Sequence, residues 1–192
     1  MNPKIVDKEV KKKEILESAI KVFARNGIAN TKVIDIAIEA DTSKGNIYTY
    51  FESKEEIIKE AIRSYMVKLN KAGDGQMAEV DDPVNKLCNI VDDWMNTIKS
   101  SYEETKLFIY YWAEGEGLKK LIDEYNLKEL YNNYRFFLSG ILEQGISEGR
   151  IYPVDTKLMA SVIMGTLDGL ILHWIIGKDI FKKSIIEGLR KV

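Results

Sequence analysis

Thr42-Ser43-Lys44-Gly45-Asn46-Ile47-Tyr48-Thr49-Tyr50-Phe51 is the stretch that decides the fold. Ile47 and Phe51 are four residues apart, so on a helix they share one face and anchor it to a core. Ser43, Lys44, Asn46, Tyr48 and Thr49 then project outward. Gly45 lies among them, although glycine costs about 1 kcal/mol relative to alanine inside a helix. A bland surface helix has no need of that glycine, whereas a helix that must approach a groove wall does. The pattern predicts a short helix over 43–51. A second short helix is expected just before it, over 33–40, with Ile36, Ala37 and Ala40 facing inward and Thr31 as its N-cap. Asp41 and Thr42 form the tight connection. Two short helices joined this way, the second bearing small and polar residues, describe a helix-turn-helix.

Upstream, Ile15, Leu16, Ala19, Ile20 and Phe23 recur at helical spacing and predict a helix over 7–26, stopped by Gly27. Lys4, Lys8, Lys11, Lys12 and Lys13 precede or open it. They read either as a flexible basic arm for a nucleic-acid backbone or minor groove, or as a solubilising surface diluted by Asp7, Glu9 and Glu14. Downstream, Ser53 and Glu56 have the spacing of a capping box. It opens a helix with Ile58, Ala61, Ile62, Tyr65 and Leu69 on one side, ended by Gly73-Asp74-Gly75. Residues up to 82 read as a linker or loop.

A second set of helices starts near Pro83, a residue suited to a first helical turn. Val84, Leu87, Ile90, Val91, Trp94, Met95 and Ile98 make its stripe. An aromatic-rich segment over 107–124 is expected to break near Gly115 and Gly117. A long helix over 127–148 is closed by Gly149, and Asp155 caps another that reaches residue 176. Beyond Gly177, Ile180, Phe181, Ile185, Ile186 and Leu189 predict a last amphipathic helix. The fold class expected is all-α. It comprises an N-terminal three-helix helix-turn-helix DNA-binding domain (1–53, with a linking helix over 54–72) and a C-terminal helical domain (73–192).

Composition narrows the function. The 192 residues carry a net charge of −2, so nucleic-acid binding must come from a local basic surface rather than bulk charge. The single cysteine, Cys88, cannot make an intramolecular disulfide and reads as a small buried hydrophobe, which fits a reducing cytoplasm. Met1-Asn2-Pro3-Lys4 is followed by charge, not by a signal-peptide apolar core. Residues 158–176 are long and apolar enough for a membrane span, but Asp168 and His173 are costly in lipid. A buried or interface helix is the better reading. No cofactor, metal cluster, nucleophile elbow or phosphate-cradling loop is visible. His173, the lone histidine, reads as a hydrogen-bonded interface residue.

The chain resembles the TetR family of transcriptional regulators over roughly residues 12–62. The resemblance rests on Ile15-Leu16-Glu17-Ser18-Ala19-Ile20-Lys21-Val22-Phe23, Gly27, Thr31, Val33 and Asp35-Ile36-Ala37. Ala40, Ser43-Lys44-Gly45, Ile47-Tyr48, Tyr50-Phe51 and Lys54-Glu55 complete it. It implies that Thr31 caps the second helix and touches a phosphate. Lys44, Asn46 and Thr49 enter the major groove, with Thr42, Ser43 and Gly45 part of the same DNA-binding surface. Tyr48 meets a phosphate or a thymine methyl group, and Tyr50 and Lys54 hold phosphates. A lysine in a helix's first turn opposes the macrodipole, which itself suggests an anion nearby. Asp41 replaces the family's usual turn glycine; aspartate tolerates left-handed geometry better than most residues, and its charge works against nonspecific DNA affinity.

The C-terminal half resembles one branch of the family more weakly, through Glu148-Gly149-Arg150, Asp155, Ala160 and Asp168-Gly169-Leu170. That resemblance implies a homodimer through the last two long helices. Gly165 and Gly169 would allow close helix approach, and Leu158, Val162, Ile163, Leu170, Trp174, Ile180 and Phe181 supply apolar area. Two recognition helices would then address major grooves about 34–36 Å apart or a multiple of that. Trp94, Phe108, Tyr111, Trp112, Tyr134 and Phe137 are expected either to line a pocket for a small apolar or amphipathic effector or to fill a core. Glu114 and Glu116 either balance a cationic ligand or are solvated. The function expected is a ligand-responsive, cytoplasmic DNA-binding regulator, most simply a repressor of operator DNA. A helical enzyme and an interaction module that has lost DNA binding are the alternatives.

Overall fold

The computed structural model describes residues 8–74 and 81–177, with the side chains of 72–74 left aside. All described elements are helices: α1 (Lys8–Asn26), α2 (Val33–Glu39), α3 (Lys44–Ile47), α4 (Lys54–Asp74), α5 (Pro83–Ser100), α6 (Tyr102–Ala113), α7 (Gly117–Glu124), α8 (Leu127–Ser147) and α9 (Thr156–Ile176). The amphipathic segment expected after Gly177 and the loop over 75–80 lie outside the described residues. Two compact units are formed, one from Met1–Lys68 and Ser101–Lys120, the other from Leu69–Ser100 and Leu121–Val192.

In the first unit, Ile15, Ala19, Val22 and Phe23 of α1, Ile36 and Ala37 of α2, Ile47 and Phe51 at α3, and Ile57, Ile62 and Tyr65 of α4 are all essentially removed from solvent, with α1 packed on α2 and α6, and α2 on α3. Gly27 takes φ +79 directly after α1, where a side chain would be strained. The expected break after α6 is real. Gly117 opens α7 so close to the last turn of α6 that a Cβ would sit 1.6 Å from the Tyr111 carbonyl oxygen. No other residue fits there without moving backbone.

In the second unit, Ile90, Leu138, Ile141, Leu142 and Ala160 from α5, α8 and α9 make one core cluster. α5 starts at Pro83 as expected, with the Asn85 backbone N–H donating to Asp82 Oδ2 at 3.0 Å. Asp155 caps α9, accepting from the Leu158 N–H at 3.0 Å. α9 is long and apolar enough to cross a membrane, yet little of it is buried within this chain. Leu158 (64% exposed), Val162 (52%), Leu172 and Ile176 lie on one stripe with Gly165 and Gly169, and nothing stands within 4 Å of where a Cβ would be at either glycine. Trp174 departs from expectation: it turns inward, and Ile163 packs against the core cluster. His173 is exposed, and Cys88 is half-buried rather than fully so.

The polar interruption of α9 has a partner in the same unit. The Tyr131 hydroxyl donates to Asp168 Oδ1 at 3.1 Å and Oδ2 at 3.0 Å. Burial pushes the Asp168 carboxyl above the ordinary aspartate value, with the Tyr131 hydrogen bond pulling the other way. The folded chain therefore holds this proton more tightly than the unfolded chain. Stability from this group falls as pH rises from the ordinary aspartate range through the raised value, and at neutral pH the ionised form is a net cost. Asp168→Asn keeps an acceptor for Tyr131 and removes the charge. It is expected to raise the thermal midpoint at pH 7, with the gain shrinking towards pH 4. A midpoint difference independent of pH refutes this account.

Candidate nucleic-acid interface

The turn between α2 and α3 is built from backbone hydrogen bonds. Asp41 N–H donates to Ile38 O at 3.2 Å, and Thr42 N–H reaches back to Ala37 O at 2.9 Å. Closing so tightly forces Asp41 to φ +46, the left-handed geometry its residue type accommodates. Ser43 then caps α3, its Oγ accepting from the Asn46 N–H at 3.1 Å. Regular α3 is shorter than expected. From Thr49 on the backbone tightens: Thr49 bonds Asn46 O and Tyr50 bonds Ile47 O, each three residues back. Phe51 N–H still returns to Ile47 O, so the coil persists to Phe51.

Ile47 is 0% and Phe51 2% exposed, and this seating sets the outward face. Lys44, Gly45, Tyr48 and Thr49 are exposed, and Ser43 with them. Lys44 Nζ stands 6.0 Å from the Tyr48 ring centroid, a weak cation–π contact that keeps both along one edge. A Cβ at Gly45 would meet only Ser43 Oγ, at 3.9 Å, so the backbone there is open to approach. Asn46 is half-buried, and its Nδ2 donates to Thr42 Oγ1 at 2.8 Å. Tyr50 and Lys54 are half-buried, and Lys54 begins α4 behind the Ser53 Oγ cap on the Glu56 N–H at 3.1 Å. The reciprocal half of that capping box is shifted, since the Glu56 carboxylate takes the Glu52 N–H instead.

Thr31 differs from expectation. It is 2% exposed and its hydroxyl donates to Gly27 O at 2.7 Å, so it closes the α1 terminus. Lys32 is the N-cap of α2, and Asp35 Oδ2 accepts its N–H at 2.8 Å. The reason is competition: the left-handed Gly27 leaves a carbonyl within reach of Thr31, and the acidic N3 residue supplies the cap. Lys8, Lys11, Lys12 and Lys13 also differ from a flexible arm, being part of α1. Lys11 pairs with Glu14 at 2.9 Å and Lys13 with Glu17 at 3.8 Å, while Lys12 Nζ sits 5.3 Å from the Phe51 ring centroid. Lys4 lies outside the described residues. Arg25 pairs with Glu39 at 3.1 Å, tying α1 to the end of α2 and offsetting one carboxylate near the turn.

The six aromatic residues expected at an effector pocket divide between the units. Phe108, Tyr111 and Trp112 belong to the first. There Phe108 tilts against Tyr65 with ring centroids 5.6 Å apart, Tyr111 is buried and Trp112 is exposed. Trp94, Tyr134 and Phe137 belong to the second, where the Tyr134 hydroxyl donates to Leu69 O at 3.1 Å. A cavity of about 200 Å³ in the first unit is lined by Ile28, Ile58, Tyr111, Glu55, Glu114 and Glu116, among others. Of the six aromatics, only Tyr111 lines it. A contact that spacing could not reveal joins α4 to α6. Tyr65 and Thr105, both buried, share a hydroxyl–hydroxyl hydrogen bond of 2.7 Å, and Lys68 pairs with Glu104 alongside. Burial raises the Tyr65 hydroxyl's proton affinity, so it stays a neutral donor.

A capped short helix, apolar residues locked inward and a polar, glycine-bearing face outward define a helix-turn-helix DNA-binding protein. The model of the bacterial regulatory proteins, tetR family, matches residues 15–61. A solved TetR family transcriptional regulator, PfmR from Thermus thermophilus, is 30% identical with a TM-score of 0.68, covering 82% of this chain and 84% of its own. The fatty acid metabolism regulator protein of Bacillus subtilis (strain 168) is 26% identical over 169 residues, 88% of this chain and 85% of that protein. FadR from Bacillus subtilis, crystallised in complex with stearoyl-CoA, shares the fold at a TM-score of 0.67 and 23% identity, with 91% of each chain covered. The chain belongs to the TetR family of transcriptional regulators, and these relatives are regulators rather than enzymes.

The left-handed turn yields a stability test. Asp41→Gly relieves the backbone and is expected to hold stability within about 0.5 kcal/mol, whereas Asp41→Val, β-branched at positive φ, is expected to lose about 1–2 kcal/mol. Urea denaturation of the two variants checks this, and equal stabilities contradict a left-handed Asp41.

Proposed function

We propose that the chain is a homodimeric, cytoplasmic repressor that leaves its operator when a small apolar or amphipathic molecule binds. The observation that carries this reading is the seating of Ile47 and Phe51, which turns Lys44, Gly45, Tyr48 and Thr49 to solvent in a TetR-family chain. In this reading residues 1–53 bind DNA, the helix from 54 to 72 links, and 73–192 carry the effector and dimer functions. Lys44, Asn46 and Thr49 enter the major groove beside Thr42, Ser43 and Gly45, and Tyr48, Tyr50 and Lys54 meet the backbone. Thr31 contributes by fixing the α1–α2 corner rather than through its buried hydroxyl.

Kinship with the fatty acid metabolism regulator, and with the FadR that binds stearoyl-CoA, favours a long-chain fatty-acyl effector. Phe108, Tyr111 and Trp112 within the first unit, and Trp94, Tyr134 and Phe137 within the second, remain the proposed effector-lining residues, each set taken by itself. The exposed stripe of Leu158, Val162, Gly165, Gly169, Leu172 and Ile176 on α9 supports burial against a second copy. Release requires only that the ligand favour a conformation whose recognition helices no longer match the operator.

The test is fluorescence anisotropy with a DNA fragment from the chain's own upstream region, read as a function of salt. Affinity is expected to fall steeply with salt. Lys54→Ala should weaken binding about equally across sequences and lower the salt slope by about one, while Asn46→Ala should relax base preference. Stearoyl-CoA is expected to raise the operator Kd at least about tenfold, a coupling of about 1.4 kcal/mol, and free coenzyme A to leave it unchanged. If both variants bind as tightly as the parent, the assigned DNA contacts are wrong. No release by any acyl chain length removes the fatty-acyl effector.

A further inference from the structure

We propose that the two copies of the chain are registered by a reciprocal ion pair, Arg135 of one copy with Glu143 of the other, on either side of a crossing point near Ser139 and Gly140. The proposal rests on the homodimer reading above and adds the residues that set its register.

Arg135 is half-buried on α8. Its Nη1 donates to Asn132 Oδ1 at 3.2 Å, but its Nε is buried and has no hydrogen-bond partner among the described residues. That Nε is closed to an acceptor from outside, so the donors a second copy can reach are those at the exposed end of the guanidinium, where Nη1 meets Asn132. Arg135 lines a cavity of about 210 Å³ with Asn132, Phe136, Ser139, Gly140, Glu143 and Lys157. Glu143 is the only carboxylate among those lining residues. It accepts from Ser139 Oγ at 3.3 Å and Thr156 Oγ1 at 3.1 Å, which orients it while leaving it exposed.

Within one chain Arg135 and Glu143 are eight residues apart, about 12 Å along the helix, too far to pair directly. Each lies four residues, about one turn, from Ser139. A twofold axis crossing α8 there places Arg135 opposite the second copy's Glu143, twice per dimer, as a self-complementary interface requires. The surface suits a second copy on two other counts. Phe136, 82% exposed, lies beside the cavity, and Gly140 has nothing within 4 Å of its missing Cβ, so another helix can come close. The same cavity also holds Lys157 at the start of α9, which makes it continuous with the exposed α9 stripe.

The experiment uses charge reversal in the full-length chain, with Kd for dimerisation read by sedimentation equilibrium. Arg135→Glu and Glu143→Arg alone are each expected to raise the homodimer Kd at least about tenfold, because each sets like charges opposite one another. The double variant restores the pairing and should return to near the parent's value. Mixing the two single variants, one tagged, should give mostly heterodimer by native mass spectrometry, since only the mixed dimer carries two attractive pairs. That rescue cannot come from chains that failed to fold. A dimeric parent whose single variants dimerise as tightly, or whose weakened variants neither recover in the double variant nor combine on mixing, overturns the pair and leaves the dimer reading standing. A parent that is monomeric at all concentrations overturns both.

Discussion

The reading face depends on two apolar side chains. Ile47 and Phe51 are one helical turn apart and seated in the core of the first unit. Each is worth on the order of 2 kcal/mol when fully buried, far more than a four-residue helix gains from its own hydrogen bonds. α3 therefore exists because it is held, and its outward residues are those left over once Ile47 and Phe51 are committed. Capping by Ser43 and the bend at Asp41 fix how the helix enters; the buried pair fixes which way it faces.

The surrounding architecture limits how far that helix can drift. Arg25 and Glu39 bind the first helix to the end of the second, Thr31 locks the corner onto the Gly27 carbonyl, and Lys12 rests over the Phe51 ring. The pairing of Tyr65 with Thr105 ties α4 to α6 by a neutral hydrogen bond inside an apolar setting. Such a contact is costly to break without replacement, so these two helices gain by moving together.

Local chemistry was well written in the sequence. The glycine stop at Gly27, the first-turn proline at Pro83, the Asp155 cap and the break between α6 and α7 all rest on rules that act within a few residues, and all are found where the residues put them. The outward set at α3 was legible for the same reason, the half-buried Asn46 apart, since the i, i+4 spacing of Ile47 and Phe51 leaves no choice of face. What escaped depends on contacts distant in sequence or on competition between neighbours. Thr31 had two carbonyl and N–H options, and only the folded corner decides between them. Trp174 and Leu158 look alike on an apolar helix, yet one is buried by α9's own chain and the other is not. The Tyr65–Thr105 bond spans 40 residues, and the aromatic residues that composition alone groups together are divided between two units.

The hydrogen bond from Asn46 Nδ2 to Thr42 Oγ1 bears on what that amide can say to a base pair. An asparagine that grips adenine with two hydrogen bonds must offer its nitrogen as well as its oxygen. Here one of the nitrogen's two N–H bonds is spent on Thr42, which fixes the amide's orientation and leaves the other N–H and the carbonyl oxygen. As held, the amide still has one donor and one acceptor to offer, but only in the orientation that the bond to Thr42 permits. Meeting a base pair that needs another orientation of the amide would mean surrendering the bond to Thr42, at about 1 kcal/mol. In the proposed contact with DNA, the hydroxyl at position 42 thus sets the angle from which position 46 can address a base.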